Sequence, residues 1–124
     1  MTTILIVDDD DVLRELIGIS LSRDVSLSLE YAESGAEALV RLEAPGIDVL
    51  LLDVMMPELS GPSLLNLIRE RSDLREIPAI FLTAAAHADD KSILLSHGAL
   101  GVITKPFDPF TLASTVLSLL GRSL

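Results

Sequence analysis

Ile4-Leu-Ile-Val-Asp-Asp-Asp10 places four apolar residues directly against three carboxylates. A run this short, unrelieved by any polar position, is the pattern of a strand buried on both faces. Val49-Leu-Leu-Leu-Asp53 repeats it, and Ala79-Ile-Phe-Leu-Thr83 repeats it again with a hydroxyl in place of the acid. With Leu27–Tyr31 and Val102–Thr104 the strand set numbers five: Ile4–Val7, Leu27–Tyr31, Val49–Leu52, Ala79–Leu82 and Val102–Thr104. Most are flanked by Gly, Pro or Asp, as strand ends are.

The segments between them carry helical periodicity. Leu13, Leu16, Ile17 and Leu21 form one stripe, Gly35, Ala38, Leu39 and Leu42 a second, and Leu64, Leu67 and Ile68 a third that follows Gly61-Pro62. Asp89 to His97 reads as a fourth helix stopped by Gly98. A fifth is expected from Asp108-Pro109, a cap followed by an N1 proline, to Gly121. In that fifth helix Leu112, Val116, Leu119 and Leu120 are expected to face the core, leaving Ala113 and Leu117 outside with serines and threonines. Strand and helix alternate five times, which predicts an α/β fold: a doubly wound (βα)5 sandwich of three layers around a parallel sheet with right-handed crossovers. No linker, repeat or low-complexity tract divides residues 1–124, so a single domain is expected.

Composition narrows the chemistry. Cysteine is absent, which removes disulfides, thiolate catalysis and cysteine-ligated metals. Nineteen acidic residues against nine basic ones give a formal charge of −10, which disfavours direct contact with nucleic acid or anionic membrane. Neither a targeting segment nor a bilayer-length apolar stretch stands out, and a cytoplasmic location is expected.

Ligands of open parallel sheets bind beyond the carboxyl ends of the strands. Asp8 and Asp9 stand at that edge after the first strand, Asp53 after the third, Thr83 after the fourth and Lys105 after the fifth. Three carboxylates gathered there would repel one another unless a cation sat among them. An all-oxygen set with open positions suits Mg²⁺, which keeps waters and accepts phosphate oxygens. Lys105, one of two lysines in the chain, could hold a phosphate oxygen, and the Thr83 hydroxyl could donate to another. Asp10 and Asp11 suit a helix N-terminus. His97 is expected at the edge of the core, and His87 lies in the loop after Thr83 without a ligand-spaced partner.

Ile4-Leu-Ile-Val-Asp-Asp-Asp10, Leu51-Leu-Asp-Val-Met-Met-Pro57 with Gly61, Phe81-Leu-Thr83-Ala84 and Lys105-Pro106-Phe107 resemble, along the whole chain, the receiver domain of two-component response regulators. The ordered spacing of the motifs carries the resemblance more than any one of them. It implies a flavodoxin-like sheet of order 2-1-3-4-5, with Asp53 as phosphoacceptor from a sensor histidine kinase or phosphotransfer protein. Asp8, Asp9, Asp53 and the backbone carbonyl of Met55 would be associated with Mg²⁺, Asp8 largely through water. Thr83 and Lys105 would grip the phosphoryl oxygens, and the Lys105–Pro106 peptide would be cis.

Two features depart from the family pattern. Its usual switch position in the fifth strand carries an aromatic residue, and here it is Val102, which cannot reproduce a ring's in-or-out movement. From Phe110 to Leu120 there is no charge, so a salt-bridged dimer is disfavoured and a partner protein or neighbouring domain is expected on the fifth helix. An aspartyl-phosphate phosphatase of the haloacid dehalogenase type is a rival. It needs a second aspartate two residues after the nucleophile, where this chain has Met55. A phosphorylation-independent scaffold is a further alternative, disfavoured by the intact acidic, threonine and lysine set.

Overall fold

The computed structural model describes residues 1–84 and 91–121. Five strands, β1 (Thr2–Val7), β2 (Leu27–Ala32), β3 (Val49–Asp53), β4 (Ala79–Ala84) and β5 (Gly101–Lys105), alternate with helices α1 (Asp11–Leu21), α2 (Gly35–Arg41), α3 (Gly61–Glu70), α4 (Lys91–Ser96) and α5 (Leu112–Leu119). All strand pairs are parallel, in the order β2-β1-β3-β4-β5. Strand order reverses at β1, so the crevice of this flavodoxin-like fold opens beyond the carboxyl ends of β1 and β3.

The unbroken apolar runs are explained by a sheet covered on both faces. Leu5, Val7, Leu50, Leu52 and Phe81 face one layer with Ala38 of α2, Leu64, Leu65 and Ile68 of α3 and Leu94 of α4. Ile4, Ile6, Leu51, Ile80 and Leu82 face the other, against Ile17 and Leu21 of α1 and Leu112 and Val116 of α5. Successive strand residues point to opposite faces, so every position of a doubly covered strand must be apolar.

Local signals start the helices. The Asp10 carboxylate accepts from the N–H groups of Val12 and Leu13 at the head of α1, Ser34 accepts from Glu37 at α2, and Ser60 accepts from Ser63 at α3. Gly98 takes a positive φ of 94° just beyond α4, consistent with a glycine stop. Residues 89 and 90 of the expected fourth helix, and His87, lie outside the described residues.

The structure corrects the reading of the last helix. The Asp108 carboxylate accepts from Phe110 N–H at 2.9 Å, closing a turn, and α5 starts at Leu112. Leu117, expected outside, is buried, while Leu119 and Leu120 are only half-buried at the core's margin. At 100° per residue the face centred between Val116 and Leu120 takes Leu117 on one flank and Leu119 on the other. Leu16 and Leu67 sit likewise on the flanks of their stripes and stay partly exposed. In α1, Ser20 turns inward beside Ile17 and returns its hydroxyl to the Leu16 carbonyl at 2.8 Å.

Candidate functional site

Each residue expected at the sheet edge is carried there by its strand. Asp8 follows β1, Asp53 ends β3, and Thr83 lies next to the end of β4, in register with Thr104; Ala84 pairs with Lys105 at the end of β5. Oxygens of Asp8, Asp9 and Asp53 lie within 4.8 Å of one another. Lys105 Nζ donates to Asp53 Oδ1 at 3.0 Å and stands 3.8 Å from Asp8 Oδ2. Asp8 and Asp53 are buried and Asp9 is exposed, so the cluster has a closed floor and one open side.

Burial without full pairing raises the energy of the charged forms. Removal from water pushes the Asp8 carboxyl up to about 6, the neighbouring Asp53 charge adds to this, and the hydrogen bond from Asp10 N–H opposes it. Burial also raises Asp53, against the pull of the Lys105 ammonium. Among the described residues Asp8 Oδ2 and Thr83 Oγ1 have no hydrogen-bond partner although both are buried. Orphaned buried oxygens at a polar edge are what a ligand-binding site leaves unsatisfied without its ligand. Three carboxylates against one ammonium leave an excess of negative charge, and the donor set is all oxygen, so the residues fit a hard divalent cation.

The loop after β3 is shaped by close backbone approach. Gly61 N–H donates to Val54 O at 3.0 Å, and a Cβ at Gly61 would fall 2.3 Å from the carbonyl oxygen of Asp53. Only glycine permits this return. Glu58 adopts a left-handed φ of 68° inside the loop. Met55 presents its side chain to solvent while Met56 is buried, and the Met55 backbone N–H donates to the Asp53 carboxyl. The Lys105–Pro106 bond is cis. Val102 pairs with Phe81 and lies half-buried against the layer of α2, α3 and α4. His97 is half-buried, its Nδ1 3.0 Å from Asn66 Oδ1 and away from the carboxylates.

Arg14 stands outside the set of residues expected at the site. It leaves the first turns of α1, donates from Nη1 to the Asp8 carbonyl at 2.7 Å and pairs with Asp11 at 2.5 Å. The signal available was its place as the sole basic residue in Asp8-Asp-Asp-Asp-Val-Leu-Arg-Glu15, three residues after Asp11.

Comparison with known proteins agrees with this geometry. The family model described as response regulator receiver domain matches residues 4–117. Transcriptional regulatory protein CseB of Streptomyces coelicolor is 38% identical over 121 residues, covering 98% of this chain and 50% of that protein. The chain thus spans about half the length of the curated relatives it matches first. Among solved structures, a putative response regulator from Chloroflexus aurantiacus superposes with a TM-score of 0.88 at 33% identity, covering 98% of both chains. Chemotaxis response regulator CheY4 of Vibrio cholerae gives 0.86 at 31% identity, with 96% of this chain and 98% of that one covered. With the acidic crevice, the threonine and the lysine arrayed along one sheet edge, the chain belongs to the response regulator receiver domain family.

Proposed function

We propose that residues 1–124 form one receiver domain in which Asp53 accepts a phosphoryl group from the phosphohistidine of a sensor histidine kinase or phosphotransfer protein. The observation that carries this is the convergence of Lys105 Nζ, 3.0 Å from Asp53 Oδ1, with the carboxylates of Asp8 and Asp9 at the carboxyl edge of the sheet. An oxygen of the Asp53 carboxylate attacks phosphorus as the phosphorus–nitrogen bond to the donor imidazole breaks. The imidazole leaves with the bonding pair and takes up a proton, and Asp53 becomes an acyl phosphate. Water returns it to carboxylate and inorganic phosphate, so the domain carries a signal and does not turn over an external substrate.

Phosphoryl transfer needs in-line positioning and charge neutralisation more than covalent assistance. Burial of Asp53 at the crevice floor limits water around its carboxylate, and Lys105 holds it ready. After transfer the Lys105 ammonium and the free Thr83 hydroxyl grip phosphoryl oxygens. Mg²⁺, held by Asp8, Asp9, Asp53 and the Met55 carbonyl, supplies the remaining positive charge when bound. Movement of Thr83 toward the phosphoryl group then alters the surface that a downstream protein or neighbouring domain reads. With Val102 at the usual aromatic position, that change passes through backbone and helix position, and the uncharged outer side of α5 is a surface available to the reader. The module acts in the cytoplasm, where such donors phosphorylate it.

Incubation with radiolabelled acetyl phosphate tests this chemistry. Label is expected in Mg²⁺, lost in excess EDTA and released by hydroxylamine, which cleaves acyl phosphates. Label that resists hydroxylamine, or equal labelling in EDTA, contradicts the proposal.

A further inference from the structure

The carboxylates of Asp8 and Asp9 come from consecutive residues, yet one is buried and the other exposed, so the peptide between them decides where each points. The carbonyl of that peptide belongs to Asp8 and accepts the 2.7 Å bond from Arg14 Nη1. A peptide is planar, so pinning its oxygen fixes the plane and with it the N–H and Cα of Asp9. Among the described residues the Asp9 carboxylate has no hydrogen bond of its own, and its direction comes from this backbone. Asp8 is already tied by its N–H to Ala32 O at 3.2 Å and by Oδ1 to Asp10 N–H at 2.9 Å. Arg14 supplies the hold on the carbonyl.

The guanidinium is itself fixed. Nη2 meets Asp11 Oδ1 at 2.5 Å and stands 3.9 Å from Glu33 Oε2 in the loop between β2 and α2, and the side chain is only 17% exposed. A planar fork holds several acceptors in one fixed geometry, whereas the three donors of a lysine ammonium turn freely on a flexible stem. We propose that Arg14 is a positioning residue for the divalent-metal centre, setting the Asp8–Asp9 peptide so that the Asp9 carboxylate is presented beside those of Asp8 and Asp53. The inference rests on the metal-binding role proposed above.

Two physical roles for Arg14 predict opposite signs. If it acted only as a nearby positive charge, its removal would strengthen binding of a cation. If it orients a ligand, its removal weakens binding, by about tenfold or more for groups that support metal ligands. The test is titration of Mg²⁺ alone into ¹⁵N-labelled wild type, Arg14→Gln and Arg14→Lys, following the amides of residues 8–10 and 53–55, with urea unfolding in EDTA as a check of folding. Arg14→Gln is expected to bind Mg²⁺ about tenfold more weakly, and Arg14→Lys, which keeps the charge but loses the planar fork, to fall between it and wild type. Unchanged or tighter binding by folded Arg14→Gln overturns the positioning role while leaving the metal site intact. Should Arg14→Gln fail to fold, Arg14→Lys decides in the same way: weaker binding supports the role and wild-type affinity overturns it. Absence of Mg²⁺ binding by wild type removes the metal site and this inference together.

Discussion

Asp8 costs stability when ionised, because its Oδ2 is buried without a hydrogen-bond partner among the described residues and the Lys105 ammonium comes no nearer than 3.8 Å. Its carboxyl is raised from 3.8 to about 6, so the folded chain holds the proton more tightly than the unfolded chain does. The ionised form therefore costs stability above pH 6, and that cost is relieved as pH falls from about 6 toward 3.8. In EDTA at pH 7.5, Asp8→Asn is expected to raise unfolding stability by up to about 3 kcal/mol, and its advantage should shrink toward pH 4. Urea unfolding of both proteins across that range checks it; a destabilised Asp8→Asn at pH 7.5 contradicts it. Thr83 poses the neutral version of this conflict, since Thr83→Val keeps the shape and deletes a buried hydroxyl that has no partner. Its stability should be equal or higher by about 1 kcal/mol, while acyl-phosphate yield from acetyl phosphate falls; lost stability with full yield would place the hydroxyl in structure alone. The acids, threonine and lysine were readable as residues because each stands at the carboxyl end of an expected strand. Arg14 was not, because its partner at Asp8 is a backbone carbonyl that no side-chain pattern records.

Strand existence and order were readable in the elements, since burial on both faces forces unbroken apolar runs. Strand ends were less so, and β5 reaches Lys105 where a polar residue suggested an earlier stop. The start of α5 was misplaced because Asp108-Pro109 serves equally to close a turn, and only tertiary packing of Leu112 decides where the helix begins. Gly61 makes the β3–α3 connection a backbone constraint: Gly61→Ala sets a methyl against Asp53 O, where no rotamer change gives relief. It should lose more than about 2 kcal/mol by urea unfolding and reduce phosphorylation with it. A variant of wild-type stability would show that the loop can open freely. In α4 only Leu94 is buried, and the helix has six residues. Its amides should exchange with deuterium faster than those of α1 and α3; protection equal to α3 would contradict that ranking.

At the scale of the molecule, a formal charge of −10 on 124 residues stores self-repulsion, concentrated where Asp8, Asp9 and Asp53 meet. Salt screens such repulsion, so the metal-free protein should melt at higher temperature as NaCl rises from low ionic strength; a fall would mean that attractive pairs such as Arg41–Glu30 and Arg14–Asp11 dominate. The same excess of negative charge explains why the crevice is suited to a divalent cation beside its lysine. Intact mass after incubation with acetyl phosphate and Mg²⁺ tests this most directly: wild type should gain a single phosphoryl group and Asp53→Asn none, whereas an adduct of equal yield on Asp53→Asn would place the chemistry on another residue.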